Sequence, residues 1–265
     1  MIRGSSTHTW EDSDHPMLRL NDVTAGYVEG IDVLRDVCLE AKEGAITGII
    51  GANGAGKSTV MKTIFGFLHP RKGSIVFHGR EIHTCHPYQL KQMGISYMLQ
   101  EYSTFPDLTV QDNLLLGAWT FRQDKRRVAQ RLAEIYNFFP VLAERRAQKA
   151  NVLSGGYLRM LSVGKEIMSQ PSLLMIDEPS VGLSPKITSE IYELLITIAR
   201  QGTTILIVDQ NIMKALEISD YMYLLDMGQV KKAGPKKEFE SDIRQIIKES
   251  LMSREAPVTA TRPSA

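Results

Sequence analysis

Residues 51–58 read Gly51-Ala52-Asn53-Gly54-Ala55-Gly56-Lys57-Ser58. The pattern G-x-x-x-x-G-K-[ST] is that of a phosphate loop, and it carries weight only between a strand and a helix. Both flanks comply. Residues 45–50, AITGII, form a short apolar run with β-branched side chains, which reads as a buried strand. After Lys57 the apolar residues Val60, Met61, Ile64, Phe65 and Leu68 recur at helical spacing. Glycines let the loop backbone bend so that its N–H groups point inward at phosphate oxygens. The helix adds its positive end to the same place. Residues 51–58, with Thr59 behind them, are therefore the expected nucleotide-binding set. Lys57 is placed to reach the β- and γ-phosphates and Ser58 to bind Mg²⁺.

A second apolar run, residues 173–176, ends in Asp177, Glu178 and Pro179. Alone, an acidic strand end before proline reads as a turn. With a complete phosphate loop upstream, it reads as the other half of a site. The expectation is that this strand lies beside the phosphate-loop strand, because ligands of α/β sheets gather outside the carboxyl ends of strands. Asp177 would then hold Mg²⁺ through its water shell. Glu178 would polarise or deprotonate an attacking water.

Farther out, residues 17–23 and 33–41 alternate as strands do, and 203–208 is one more buried strand. Residues 185–200 read as a helix between strands. Residues 111–150 are helical and charged, with Pro140 breaking the pattern. Strands alternating with helices give an α/β class with a mostly helical insertion, about 101–165. The expected organisation is one domain over 17–250, with flexible tails at 1–16 and 251–265. The balance of charge is near neutral, at +1, so no nucleic-acid partner is expected. Two cysteines, Cys38 and Cys85, make no disulfide framework and fit a reducing compartment. No secretory signal is visible at the start, and the apolar runs are too short to span a bilayer.

Residues 153–160, LSGGYLRM, add a small-residue turn before a helical segment. With it, the ordered motifs resemble the ATP-binding subunits of ABC transporters over roughly residues 17–240. The turn looks like the family signature, at the usual spacing before the acidic strand. Gln100, closing the strand-like stretch 95–100, looks like the Q-loop glutamine, which would touch Mg²⁺ and the attacking water. Tyr27 looks like the aromatic that stacks on adenine. Residues 180–185, SVGLSP, resemble the D-loop that crosses a dimer interface. The resemblance implies a P-loop ABC-type ATPase core with an inserted helical subdomain and an antiparallel β subdomain. It also implies ATP and Mg²⁺ as ligands, and a head-to-tail pair of ATP-binding domains. Ser154, Gly155 and Gly156 of one subunit would close over the γ-phosphate held by the other.

Finer detail is similar to the branched-chain amino-acid type of ABC transporter, and to its smaller ATP-binding chain. Residues 139–146 (FPVLAERR), 105–117 (FPDLTVQDNLLLG) and 177–185 (DEPSVGLSP) carry that likeness. It implies a second ATP-binding subunit, a different chain or another copy, and two multi-pass membrane subunits. An extracytoplasmic solute-binding protein would act indirectly, and the chain would sit at the cytoplasmic face of the inner membrane. Amides, urea or other small solutes fit the same kind of ATPase. A soluble non-transport ABC ATPase and a nucleotide-gated scaffold with little turnover are the alternatives.

Three positions depart from the family. Most members have a histidine after the strand at 203–208, contacting the γ-phosphate. Here Gln210 takes that place, as the resembled subgroup tends to have, and all six histidines lie at or before position 86. Gln210 donates a neutral hydrogen bond and cannot carry charge; an exposed strand-end glutamine is the plain alternative. Ser184 stands where many D-loops have aspartate. Tyr157 replaces the polar residue after the signature glycines, and its ring has the partner or the inserted helices to pack against. The cluster His83, Cys85, His86 has too few ligands for a structural zinc and reads as a loop. The basic run 122–127 reads as a wet helix face or turn, and Met160, Met168 and Met175 as core filler.

Overall fold

The structure is a computed structural model and describes residues 16–100 and 103–240. The tails expected at 1–16 and 251–265 lie outside the described residues, apart from Pro16. Two sheets organise the chain. The antiparallel one has the order β2-β1-β4-β5, from β1 (Leu18–Ala25), β2 (Leu34–Ala41), β4 (Lys72–Phe77) and β5 (Arg80–Glu81). The other has the order β10-β9-β3-β8-β7-β6, from β3 (Ile46–Ile50), β6 (Ile95–Met98), β7 (Leu173–Asp177), β8 (Thr204–Val208), β9 (Tyr221–Asp226) and β10 (Gln229–Pro235). Its strands pair in parallel except β10, which turns back antiparallel on β9.

The helices are α1 (Lys57–Ile64), α2 (Pro87–Gln92), α3 (Val110–Leu116), α4 (Lys125–Phe138), α5 (Pro140–Glu144), α6 (Gly155–Ile167), α7 (Pro185–Arg200) and α8 (Ile212–Ile218). Pro140 does not kink a single helix. It is the first residue of α5, where its missing N–H costs nothing and its fixed φ suits a helix start. α7 begins at Pro185 for the same reason, and the Ser184 hydroxyl accepts from the Ile187 N–H to cap it. The departure at Ser184 thus has a local structural use.

Strands β3, β7 and β8 are buried on both faces, which is why they read as unbroken apolar runs. Leu173 and Met175 face a core shared with α1 and the antiparallel sheet. Leu174 and Ile176 face a second core built with the inserted helices and α7. Met160 belongs to that second core, and Tyr157 packs against it. Tyr157 also lies under the Arg145 guanidinium, 5.2 Å from the ring centroid.

One expectation is overturned. The acidic strand β7 is not beside the phosphate-loop strand β3, because β8 lies between them. The connection from β7 through α7 returns the chain to β7's edge, where β8 pairs with Asp177 opposite Val208. The far edge of β8 then pairs with β3, Ile205 opposite Ile46. At ordinary strand spacing β3 and β7 are roughly 10 Å apart. That gap leaves room for phosphate groups between the loop and the carboxylates.

Candidate nucleotide site

The loop after β3 and the ends of β6, β7 and β8 surround a cavity of about 380 Å³. Its lining is Val33, Asn53, Gly54, Gly56, Lys57, Ser58, Thr59, Gln100, Glu178 and Gln210. All but Val33 belong to the set expected from sequence. The loop conformation requires glycine, most clearly at its two ends. Gly51 (φ 155°) passes so near β9 that a Cβ would lie 2.1 Å from the Leu225 carbonyl oxygen. Gly56 (φ 104°) precedes α1 in a left-handed conformation. Lys57 is buried and curls over its own loop, donating to the carbonyls of Gly51 (2.9 Å) and Ala52 (3.0 Å). The Ala55 carbonyl in turn accepts the Gly228 N–H, 2.9 Å, fixing the loop to the β9–β10 turn.

Glu178 is the centre of the opposite wall. It is buried, and its backbone is in the left-handed region at φ 51°, which costs a non-glycine residue strain. Its N–H donates to the Val208 carbonyl at 2.8 Å, extending the β7–β8 pairing by one residue. Gln100 Nε2 donates to Oε2 at 2.6 Å and Gln210 Nε2 donates to Oε1 at 2.7 Å. Two side chains, 78 and 32 residues away in sequence, thus converge on one carboxylate. Gln210 is exposed, as the plain reading has it, and it lines the cavity with its amide bonded to Glu178.

Asp177 lies beneath the cavity and does not line it. Tyr97 donates its hydroxyl to Oδ2 at 3.2 Å, and the Ser58 hydroxyl acts on the same carboxylate. Oδ1 is buried and has no hydrogen-bond partner among the described residues. Burial pushes this carboxyl above the ordinary carboxylate range; the Ser58 and Tyr97 hydroxyls oppose the shift, and the charge on Glu178 adds to it.

Tyr27 stands at the margin, 56% exposed, and does not line the cavity. Its hydroxyl lies 3.3 Å from Thr59 Oγ1, and the Lys62 ammonium is 5.5 Å from its ring centroid. The turn at 154–156 is also absent from this cavity. Ser154 is the exposed N-cap of α6 and makes no capping hydrogen bond with its side chain. Gly156 has a reason to be small within this chain as well, since a Cβ there would sit 3.2 Å from Ile187 Cγ1.

Residues not singled out from sequence hold these parts in place. Arg159 on α6 is buried and donates to the carbonyls of Gln100 (2.9 Å) and Leu99 (3.3 Å), tying the helix after the small-residue turn to Gln100. Asn113 on α3 is fully buried and grips the preceding loop. It accepts from the Phe105 N–H (2.7 Å) and donates to the carbonyls of Phe105 (3.0 Å) and Thr109 (2.9 Å). Asp209 anchors the loop that carries Gln210. A charged residue in an otherwise apolar helical stretch (Arg159) and a second acidic strand end (Asp209) were the readable signals.

The profile of the ABC transporter family matches residues 34–181, which include the phosphate loop, Gln100, the 153–156 turn and both strand-end carboxylates. The chain belongs to the ABC transporter family. It is 37% identical over 209 residues to the high-affinity branched-chain amino acid transport ATP-binding protein BraG of Pseudomonas aeruginosa, covering 79% of this chain and 89% of that one. It is 39% identical over 215 residues to the probable branched-chain amino acid transport ATP-binding protein LivF of Archaeoglobus fulgidus, covering 81% and 90%. Among solved structures it resembles the ADP conformation of MJ1267, an ATP-binding cassette of an ABC transporter. The TM-score is 0.80 at 25% identity, with 89% of this chain and 99% of that chain covered.

As an ABC cassette the chain is an ATPase. No helix among the described residues is long and apolar enough to cross a membrane.

Proposed function

We propose that this cassette powers import of branched-chain amino acids through membrane subunits at the cytoplasmic face of the inner membrane. The observation that carries the catalytic part is the Glu178 carboxylate, held by Gln100 and Gln210 across the cavity from the phosphate loop. The cargo rests on the likeness to BraG and LivF.

The residues divide the work as follows. Tyr27 stacks on adenine at the open margin. The backbone of residues 51–56, together with Lys57, Ser58 and Thr59, holds the phosphates. For this, Lys57 exchanges its loop carbonyls for phosphate oxygens, a charge-assisted bond in place of neutral ones. Glu178 takes a proton from the attacking water. Gln210 donates to the γ-phosphate, with weaker stabilisation of its charge than a cation would give.

The residues present fit Mg²⁺. Asp177 Oδ1 is a buried carboxylate oxygen with no hydrogen-bond partner among the described residues, and the Ser58 hydroxyl is beside the same group. Ser58 and Gln100 would hold the ion, with Asp177 behind them. The ion would supply charge neutralisation at the β- and γ-phosphates.

Ser154, Gly155 and Gly156 serve a nucleotide bound by a second ATP-binding subunit, so each subunit completes the other's site. Two multi-pass membrane subunits receive the motion, and an extracytoplasmic solute-binding protein delivers the cargo to them. ATP binding closes the pair because the nucleotide makes its second set of contacts only when closed.

Uptake of labelled leucine, isoleucine and valine tests this in cells whose own copy is replaced by the Glu178→Gln variant. Loss of uptake with the variant, and its return with the unaltered chain, is expected. Unchanged uptake of all three would contradict the cargo assignment.

A further inference from the structure

Asp209 occupies the residue between the end of β8 and Gln210, and it is fully buried. A carboxylate in such a place requires donors. Three reach it, from three segments. The Ser180 hydroxyl donates to Oδ1 at 2.9 Å, the Asn211 N–H donates to Oδ1 at 2.7 Å, and the Tyr192 hydroxyl donates to Oδ2. Ser180 lies two residues beyond Glu178, in the loop that leads to α7. Tyr192 lies within α7. Asn211 caps α8 by accepting from the Lys214 N–H.

The carboxylate therefore ties the segment carrying Glu178, the helix after it and the loop carrying Gln210 to one point. The side chain of Gln210 goes the other way, to Glu178. Burial and the neighbouring Asp209 charge both push the Tyr192 phenol upward, so it stays protonated and keeps donating.

We propose that Asp209 is a positioning residue for hydrolysis, fixing Gln210 relative to Glu178 and making both move with the Ser180 segment. This rests on the reading of Glu178 and Gln210 as the hydrolytic pair. Asp209 touches neither reacting group; it acts through the backbone of its neighbour and through Ser180.

The experiment is ATP turnover by the full-length chain, purified with the subunits that accompany it, for Asp209→Ala, Asp209→Asn, Gln210→Ala and the double variant Asp209→Ala/Gln210→Ala. Asp209→Ala is expected to lower kcat about tenfold with KM for ATP changed less than about twofold, the pattern of a lost transition-state contact. Once Gln210 is already alanine, Asp209→Ala is expected to cost less than about twofold more, because residues acting through one contact are not additive. The amide introduced by Asp209→Asn keeps an acceptor for the Ser180 hydroxyl and the Asn211 N–H, and its nitrogen can donate to the tyrosine oxygen. That variant is therefore expected to recover most of the lost kcat.

Wild-type kcat in Asp209→Ala, or a full further tenfold loss in the double variant, would overturn the proposal. Should Asp209→Ala not fold, Ser180→Ala carries the same test. It is expected to lower kcat about threefold alone and to add almost nothing to Gln210→Ala, and multiplicative losses would overturn the proposal. If Gln210→Ala by itself leaves turnover unchanged, the underlying reading of Gln210 fails, and the proposal falls with it.

Discussion

Gln210 Nε2 lies 2.7 Å from Glu178 Oε1, so the residue at the family's usual histidine position is held directly by the carboxylate that faces the phosphate loop. In the proposed mechanism the same amide turns to a phosphate oxygen on ATP binding. Gln210→Ala should slow ATP turnover in the assembled complex by about tenfold or more, the scale for losing one such donor. Steady-state hydrolysis measures it, and an unchanged rate rules out that role.

Glu178→Gln keeps the size of the side chain and removes the proposed base. Turnover should drop roughly 10²–10⁴-fold, the usual contribution of a positioned general base. ATP affinity should stay within about threefold, because binding rests on the loop of residues 51–58. Equilibrium binding of ATP beside turnover separates the two effects. A variant that loses binding and turnover together would point to a structural role for Glu178.

Asp177 carries an opposition between stability and function. Its carboxyl is raised above its unfolded value by burial. A raised acid is harder to ionise in the folded state, so this group lowers stability at pH values above its folded pKa. That penalty disappears as pH falls through the folded pKa and the group takes up a proton. Asp177→Asn should therefore raise the melting temperature of the nucleotide-free chain near pH 7 by about 2–4 °C, equivalent to roughly 1 kcal/mol. It should also weaken Mg²⁺-dependent turnover. Thermal unfolding at pH 7 and again near pH 4 tests the sign, with the gain shrinking at the lower pH.

Arg159→Met keeps the buried stem and removes the guanidinium that holds the Gln100 and Leu99 carbonyls. Two partly buried carbonyls lose charged donors, at about 1.5–3 kcal/mol for such a bond at most. The account expects lower kcat, through a loosened Gln100, together with faster amide hydrogen exchange around residues 99–100. Normal exchange there would show that the carbonyls are held by other means.

Asn113→Ala removes every side-chain bond from this residue to the loop of residues 105–109 at once. The Phe105 and Thr109 carbonyls keep backbone donors, from the Leu108 and Asn113 N–H groups, so the main loss is the acceptor of the Phe105 N–H, with a cost of about 1–3 kcal/mol of stability. Denaturant unfolding reads it. A loss below about 0.5 kcal/mol would mean that the loop satisfies itself or takes up water.

Legibility in the sequence followed the range of the interactions. The phosphate loop, β3 and β7 could be read because each is encoded locally: glycines where the backbone needs them, and apolar runs where both faces are buried. α7 was readable from the proline at its start and its apolar spacing. The order of strands was not, since β8 enters between β3 and β7 through pairing that no local pattern specifies. β4 and β5 were missed as well. Their turn, His78-Gly79, takes positive φ at both residues, and a histidine there is a weaker hairpin signal than asparagine or aspartate.

The catalytic candidates Glu178 and Gln210 were visible through resemblance, while the groups that fix them were not. Arg159, Asp209 and Asn113 act on backbone carbonyls, N–H groups and hydroxyls brought close only by folding. A sequence shows such residues as polar positions without their partners.

The most direct test of the central claim is the composition of the complex this cassette forms. The chain is purified from native membranes in mild detergent with ATP, and every co-purifying protein is identified by mass spectrometry. The account predicts two multi-pass membrane proteins and a second, different ATP-binding chain. Recovery of the chain alone, or only with cytosolic partners, would contradict it.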